Sequence, residues 1–181
     1  MSDLARADLR LFTVVRSAAR PPVSDLVGRF SSLGEHAALW LAMGALGALV
    51  DRPRRARWRR GALVVAATYA ANTAVKALVR RHRPVIEGLP ALVATPTTLS
   101  FPSAHSSTSF AAARAYGRLV PAAPLYATAA AMACSRVYLG VHYPTDVAGG
   151  ALLGLAMGSA ARSRSGSWGC PTPASRRSST R

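Results

Sequence analysis

Apolar residues gather into five runs along the chain, at about 33–50, 61–79, 104–120, 122–139 and 145–161, with polar or basic stretches between most of them. Each holds about 17 to 19 residues, near the lower limit for a helix crossing a hydrocarbon core of about 30 Å. They predict membrane-spanning helices. Ser, Thr, Arg and His interrupt the third run. Such side chains are costly against lipid, so this helix is expected to turn them toward the bundle interior or an aqueous cleft. Upstream, Leu4, Leu9, Phe12, Val15 and Ala19 fall near helical spacing, while Arg6, Arg10, Arg16 and Arg20 decorate the rest. That pattern predicts an amphipathic interfacial helix, stopped by Pro21-Pro22 because proline cannot continue a helical ladder. A sixth span and a soluble helix packed on the domain are its alternatives.

Residues 80–101 are rich in Pro, Gly and Thr and predict a loop, while 162–181 hold Ser, Arg, Pro and Gly with almost nothing to bury. The expected organisation is an amphipathic N-terminal segment over 1–32, a membrane-embedded domain over 33–161 and a disordered basic tail over 162–181. No internal repeat and no alternating strand pattern is present. The fold class expected is all-α: a multi-pass transmembrane bundle of about five to six helices.

Composition agrees with this. The 181 residues suffice for one domain; half are apolar, only 17% are charged, and the mean hydropathy is positive. The net charge of +16 would suit nucleic acid, but its distribution argues for a membrane. Arg52, Arg54, Arg55, Arg57, Arg59 and Arg60 lie between two apolar runs, and a second basic group ends the chain. Basic loops flanking apolar spans are retained in the cytoplasm during insertion, so no nucleic-acid partner is expected. Cys134 and Cys170, far apart in different surroundings, imply neither a disulfide framework nor a metal site. The stretch 9–15 is too short, and too interrupted by Arg10 and Arg16, to form a signal-peptide core.

With the 51–60 loop in the cytoplasm, the second run emerges outside near Arg80, the third begins outside at Ser103, and the fourth emerges near Leu139. Three polar stretches then meet at one membrane face: Lys76 to Arg83-Pro84, Pro102-Ser103-Ala104-His105, and Ser135-Arg136 through His142 to Asp146. Lys76 is the chain's only lysine. Together these residues suit phosphate-ester hydrolysis, which needs cations around the nonbridging oxygens, a nucleophile in line with the leaving group, and an acid for the departing oxygen.

Lys76, Arg83 and Arg136 can supply the charge; snorkelling to headgroups is the alternative for the first two. Lys76 and Arg83 would share a helix face if the helix ran that far, although Pro84 places its end near Arg83. Asp146, four residues after His142, can fix that imidazole's tautomer and free its other nitrogen for attack; alternatively Asp146 caps a helix. Ser103 can donate to the phosphate, cap the third helix, or both, and His105 would be the acid. His36 lacks such company and reads as a boundary residue.

The spacing resembles that of the type 2 phosphatidic acid phosphatase and vanadium haloperoxidase superfamily, over about residues 61–161. Lys76, Arg83 and Pro84 match its first motif; Pro102, Ser103 and His105 its second; Ser135, Arg136, His142 and Asp146 its third. The departure is Ala104 at a usual glycine position. The resemblance implies a helical bundle with a phosphate pocket at its end, a phosphohistidine on His142, and acid and base work by His105. Lys76, Arg83, Ser103, Arg136 and the Ala104 backbone N–H would hold the phosphate. It implies no metal or other cofactor, and vanadate binding as a phosphate mimic.

The expected function is a membrane phosphatase removing a terminal phosphate from a lipid at the outer face of the cytoplasmic membrane. Candidate substrates are polyprenyl diphosphate, a polyprenyl-linked sugar phosphate, phosphatidic acid and phosphatidylglycerol phosphate. The rival readings are a vanadate-dependent haloperoxidase and a non-catalytic protein that binds lipid headgroups.

Overall fold

The structure, a computed structural model, describes residues 2–163. The expected tail over 162–181 lies almost wholly outside the described residues. Seven α-helices follow in order: α1 (Asp3–Ser17), α2 (Val23–Ser32), α3 (Ala38–Val50), α4 (Arg55–Val79), α5 (Ala104–Tyr116), α6 (Ala122–Tyr138) and α7 (Pro144–Ser163). Short 3-10 turns at Glu35–Ala37 and Arg52–Arg54 precede α3 and α4. Among the described residues there is no strand, only one isolated bridge between His82 and Leu99 inside the 80–103 connection. The fold is all-helical, as the runs predicted.

Helix α5 is the centre of the bundle, packed against α7, α6 and α4. Its polar residues face inward as expected: Ser106, Ser107, Thr108 and Ser109 are all buried. The Ser107 and Thr108 hydroxyls donate back to the Ser103 and Ala104 carbonyls at 2.9 Å, and Ser106 Oγ donates across to the Val147 carbonyl of α7 at 2.7 Å. The α5–α7 approach depends on Gly154, where a Cβ would stand 2.2 Å from the Ser107 carbonyl oxygen, a backbone atom that cannot step aside. Only a residue without a side chain fits there. The core beneath α5 joins Trp40, Trp58 and Tyr116; Trp40 Nε1 donates to Ser109 Oγ at 2.8 Å, and Tyr116 Oη to the Trp40 carbonyl at 3.0 Å.

Three boundaries depart from the apolar runs by four residues or more: α3 starts at Ala38 and not 33, α5 ends at Tyr116 and not 120, and α4 starts early. Helix α4 starts at Arg55, six residues before the apolar run, because its first turns are anchored through Trp58. That side chain is buried against Tyr116 and donates to Asp51 Oδ2 at 2.9 Å. The same helix ends at Val79, four residues before Arg83, closed by Arg80 in a left-handed conformation whose N–H donates to the Lys76 carbonyl. Lys76 and Arg83 therefore do not share a helix face.

Arg52–Val79 is long and apolar enough to cross a bilayer, with a window of mean hydropathy 1.5, and α2 with the Glu35–Val50 segment passes the same test as a pair bent by 47°. Leu46, Leu49, Val50, Leu63, Leu78 and Leu152 point outward from α3, α4 and α7. The first helix keeps the expected amphipathic character, but its buried stripe is Asp8, Phe12 and Arg16. Arg16, read as part of the polar face, instead donates from Nη2 to the Pro90 carbonyl at 2.6 Å.

Candidate active site

All three polar stretches converge at one end of the bundle. A cavity of about 130 Å³ opens there, lined on one side by Arg83, Ala104, His105, Arg136 and His142. This is roughly ten times the space one water needs. It suits a phosphate group and its immediate neighbour, with the rest of a lipid left outside.

His142 lies in the loop between α6 and α7, one residue short of Tyr143, the residue that precedes α7. Its imidazole is 2% exposed. Arg83 Nη1 donates to His142 Nε2 at 3.1 Å; a guanidinium has no lone pair to offer, so Nε2 is the acceptor and the ring proton sits on Nδ1. Nδ1 faces Asp146 Oδ2 at 3.6 Å, too long for a hydrogen bond. Burial, with the charges of Arg83, Arg136 and Lys76, pushes the His142 pKa well below its usual range. The ring is held neutral, with its Nε2 lone pair engaged by Arg83, itself a cavity-lining residue; release of that bond gives the state a nucleophile requires.

Asp146 does more than face this ring. Its Oδ2 accepts from the Tyr143 N–H at 2.8 Å, so the third residue of α7 closes back on the residue before the helix. The capping and orienting readings of Asp146 thus coexist. Oδ1 accepts from Arg81 Nη1 at 2.9 Å, a partner the motif reading passed over.

Among the cations, Arg83 also donates from Nη1 to the Val141 carbonyl at 2.6 Å and from Nε to the Thr97 carbonyl at 2.8 Å. Its pKa is lowered, first by burial, against the opposing charge of Asp146. Lys76 Nζ is turned inward, donating to the Leu99 and Ser100 carbonyls at 3.2 and 3.3 Å; it does not snorkel. Arg136 is buried, and its Nη1 donates to Ser31 Oγ at 2.6 Å. His105 Nε2 lies 3.1 Å from the Ser31 carbonyl, which only accepts, so His105 carries its proton on Nε2.

Ser103 occupies the N-cap position of α5, yet its side chain makes no capping bond. It is fully buried and its Oγ has no partner. Four buried side-chain polar atoms among the described residues lack a partner, and Ser103 Oγ, Arg136 Nε and His142 Nδ1 are three of them. Buried polar atoms are normally satisfied; His142 Nδ1 is turned to Asp146, which leaves Ser103 Oγ and Arg136 Nε as hydrogen-bonding capacity open to a ligand.

Sequence reasoning missed four contributors. Ser31, 1% exposed at the end of α2, holds both Arg136 and His105. Arg81 holds Asp146. His36 and Tyr69 also line the cavity, with Glu35, and their rings are 6.1 Å apart. His36 is therefore not a mere boundary residue, and it and Ala37 both adopt positive φ, 50° and 61°, a strain often stored at functional sites.

A helical bundle with two buried histidines and two arginines lining one small cavity, and with Asp146 against one histidine and Lys76 turned inward nearby, defines a phosphate-handling enzyme. Residues 57–166 match the PAP2 superfamily, and the chain belongs to that family. It falls in the hydrolase class acting on phosphoric esters. The decaprenylphosphoryl-5-phosphoribose phosphatase of Mycolicibacterium smegmatis is 40% identical over 154 residues, 83% of this chain and 84% of that protein. Its namesake from Mycobacterium tuberculosis is 37% identical over 155 residues, covering 84% and 88%. In fold the chain is similar to the crystal structure of Aquifex aeolicus LpxE, with TM-score 0.74, 24% identity and coverage of 86% and 94%. It is likewise similar to the transmembrane PAP2 type phosphatidylglycerolphosphate phosphatase of Bacillus subtilis, with TM-score 0.75, 24% identity and coverage of 92% and 88%.

Proposed function

We propose that the chain is a multi-pass membrane phosphatase that removes the terminal phosphate from a polyprenyl-linked sugar phosphate, of the decaprenylphosphoryl-5-phosphoribose kind named for its relatives. The observation that carries the reading is one cavity lined by Arg83, His105, Arg136 and His142, with the orphaned Nε of Arg136 in its wall and the orphaned Oγ of Ser103 next to the lining residue Ala104. The sugar reading is supported by Glu35, His36 and Tyr69 in the same lining. Glu35 and His36 stand exposed at the cavity rim beside Tyr69; a carboxylate repels a second phosphate but accepts from sugar hydroxyls.

In this mechanism His142 Nε2 attacks phosphorus, and Arg83 leaves that nitrogen to bind a nonbridging oxygen. His105 acts as the imidazolium, formed beside the bound phosphate anion: its Nε2 exchanges the Ser31 carbonyl for the departing sugar oxygen and gives it the proton, which leaves a neutral imidazole. Water then attacks the phosphohistidine as His105 takes back a proton, and inorganic phosphate leaves. Lys76, Arg83, Arg136, Ser103 and the Ala104 N–H hold the transferring group, and Asp146 steadies the imidazolium that forms. No metal or other cofactor takes part, and vanadate binds as a phosphate mimic.

Arginine-rich 52–60 lies in the cytoplasm of this arrangement, so the cavity opens at the extracytoplasmic face of the cell membrane. The test is phosphate release by the purified protein in detergent with EDTA, over polyprenyl phosphoribose phosphate, polyprenyl diphosphate, phosphatidic acid and phosphatidylglycerol phosphate. The sugar phosphate is expected to be hydrolysed fastest, with activity lost in His142→Ala. Halide oxidation with added vanadate and no phosphate release would overturn the class; preference for a glycerolipid would overturn the substrate.

A further inference from the structure

We infer that Asp8, on the N-terminal helix, and Arg81 are positioning residues for the Asp146–His142 pair, so that α1 is part of the catalytic apparatus as well as an interfacial element. This rests on the phosphohistidine reading above. Asp8 is nearly fully buried although it lies on an amphipathic helix. Its Oδ1 accepts from the Thr145 N–H at 2.9 Å and its Oδ2 from Thr145 Oγ1 at 2.6 Å. Thr145 is the second residue of α7, and its N–H is one of the donors a helix start leaves without an intrahelical partner. Asp8 therefore caps α7 from a distance of 137 residues in sequence, one residue before Asp146.

Arg81 completes the link. Its Nη2 donates to Asp8 Oδ2 at 2.7 Å, while its Nη1 donates to Asp146 Oδ1 at 2.9 Å and Thr145 Oγ1 at 2.6 Å. Its guanidinium also lies 4.2 Å from the centre of the Tyr143 ring, and Phe12 of α1 packs on that same ring. One planar fork thus bridges two carboxylates.

The consequence is electrostatic as well as geometric. Lys76, Arg83 and Arg136 all act against positive charge on His142, with the Ser100 backbone acting for it; Asp146, 3.6 Å from Nδ1, is the carboxylate placed to favour the imidazolium as the nitrogen is phosphorylated. Arg81 alone would neutralise Asp146 through its direct ion pair. Asp8 engages the other half of the same guanidinium and leaves Asp146 more of its charge for the ring. Asp8 also fixes the first turn of α7, and with it the direction in which the Asp146 carboxylate points.

The test uses the full-length protein in detergent with polyprenyl phosphoribose phosphate as substrate, comparing Asp8→Asn, Asp8→Glu, Thr145→Val and Arg16→Ala. Asp8→Asn is expected to lower kcat at least tenfold with KM and the vanadate inhibition constant within threefold, and Asp8→Glu to recover much of the loss. Thr145→Val keeps both charges and the backbone bond while removing the bridging hydroxyl; it should lower kcat at least threefold, and it decides the matter if Asp8→Asn does not fold. Arg16→Ala loosens the same helix at its Pro90 contact, away from Arg81, and should keep kcat within threefold at comparable thermal stability.

Wild-type kcat in folded Asp8→Asn or Thr145→Val, or an equal loss in Arg16→Ala, would overturn the inference and reduce α1 to an anchor. His142→Ala separates the two levels. If that variant still turns over, the phosphohistidine reading itself fails; if it is inactive while Asp8→Asn is not, only the positioning role fails.

Discussion

Replacing Arg83 by lysine keeps its charge and removes its geometry, which makes it the sharpest probe of the cavity. Arg83 makes three bonds from one side chain, to the Thr97 carbonyl, the Val141 carbonyl and His142 Nε2. Together they tie the 80–103 connection to the loop that carries the nucleophile. A lysine ammonium is a single point and cannot serve all three. Water can replace the exposed bond to Thr97 at little cost, so at least one partly buried bond near His142 is lost. A hydrogen bond to a charged group contributes about 1.5–3 kcal/mol. At about 1.4 kcal/mol per factor of ten, Arg83→Lys should lower kcat/KM by roughly ten- to a hundredfold. Arg83→Gln removes the charge as well and should fall at least another tenfold. The assay is phosphate release from polyprenyl phosphoribose phosphate in detergent, with thermal unfolding to confirm that each variant is folded. A lysine variant within twofold of wild type would refute the geometric role, and equal activity of the lysine and glutamine variants would refute the electrostatic one.

Ser31→Ala removes the acceptor of Arg136 Nη1 from a side chain whose Nε already has none. It should destabilise the ligand-free protein by about 1.5–3 kcal/mol. Orthovanadate supplies new acceptors and should raise Tm more in the variant than in wild type; equal shifts would contradict the placement of Arg136 at the anion site. The depressed His142 pKa sets a pH dependence of stability. The unfolded chain takes up a proton near the ordinary histidine value of 6.5 while the folded site stays neutral. That contribution is therefore complete above about pH 6.5 and is lost as pH falls below it, at up to about 1.4 kcal/mol per pH unit. Thermal unfolding in detergent between pH 7.5 and 5.5 should show a steeper loss in wild type than in His142→Gln, and parallel curves would contradict it.

The helices were legible because burial in a bundle writes itself as long apolar runs; the starts of α5, α6 and α7 fall within a residue of those predicted. The largest boundary shift has a side chain behind it: Trp58 extends α4 backward through an arginine-rich stretch that composition alone reads as loop. The other end of α4 stops at Val79 with the apolar run, closed by Arg80 in a left-handed conformation, and so short of the end near Arg83 that Pro84 suggested. The principal site residues were legible for a different reason. Each cation, histidine and carboxylate sits in one of three short stretches, and the order of the apolar runs brings those stretches to one end.

The groups that hold those residues in place were not legible, because their role exists only across the fold. Ser31 contacts Arg136 over 105 positions and His105 over 74, and Asp8 reaches Arg81 over 73. A serine at the end of an amphipathic helix carries no local mark of such a duty. Asp8 did carry one. It lies four residues after Leu4 and four before Phe12, on the face that helical spacing assigns to apolar packing. A carboxylate on that face must be paired or hydrogen-bonded, since burying an uncompensated charge is prohibitive. It therefore requires a buried cation or helix start elsewhere in the chain. Arg81, two residues before a motif arginine, and the first turn of α7, beside a motif aspartate, are the partners the fold supplies.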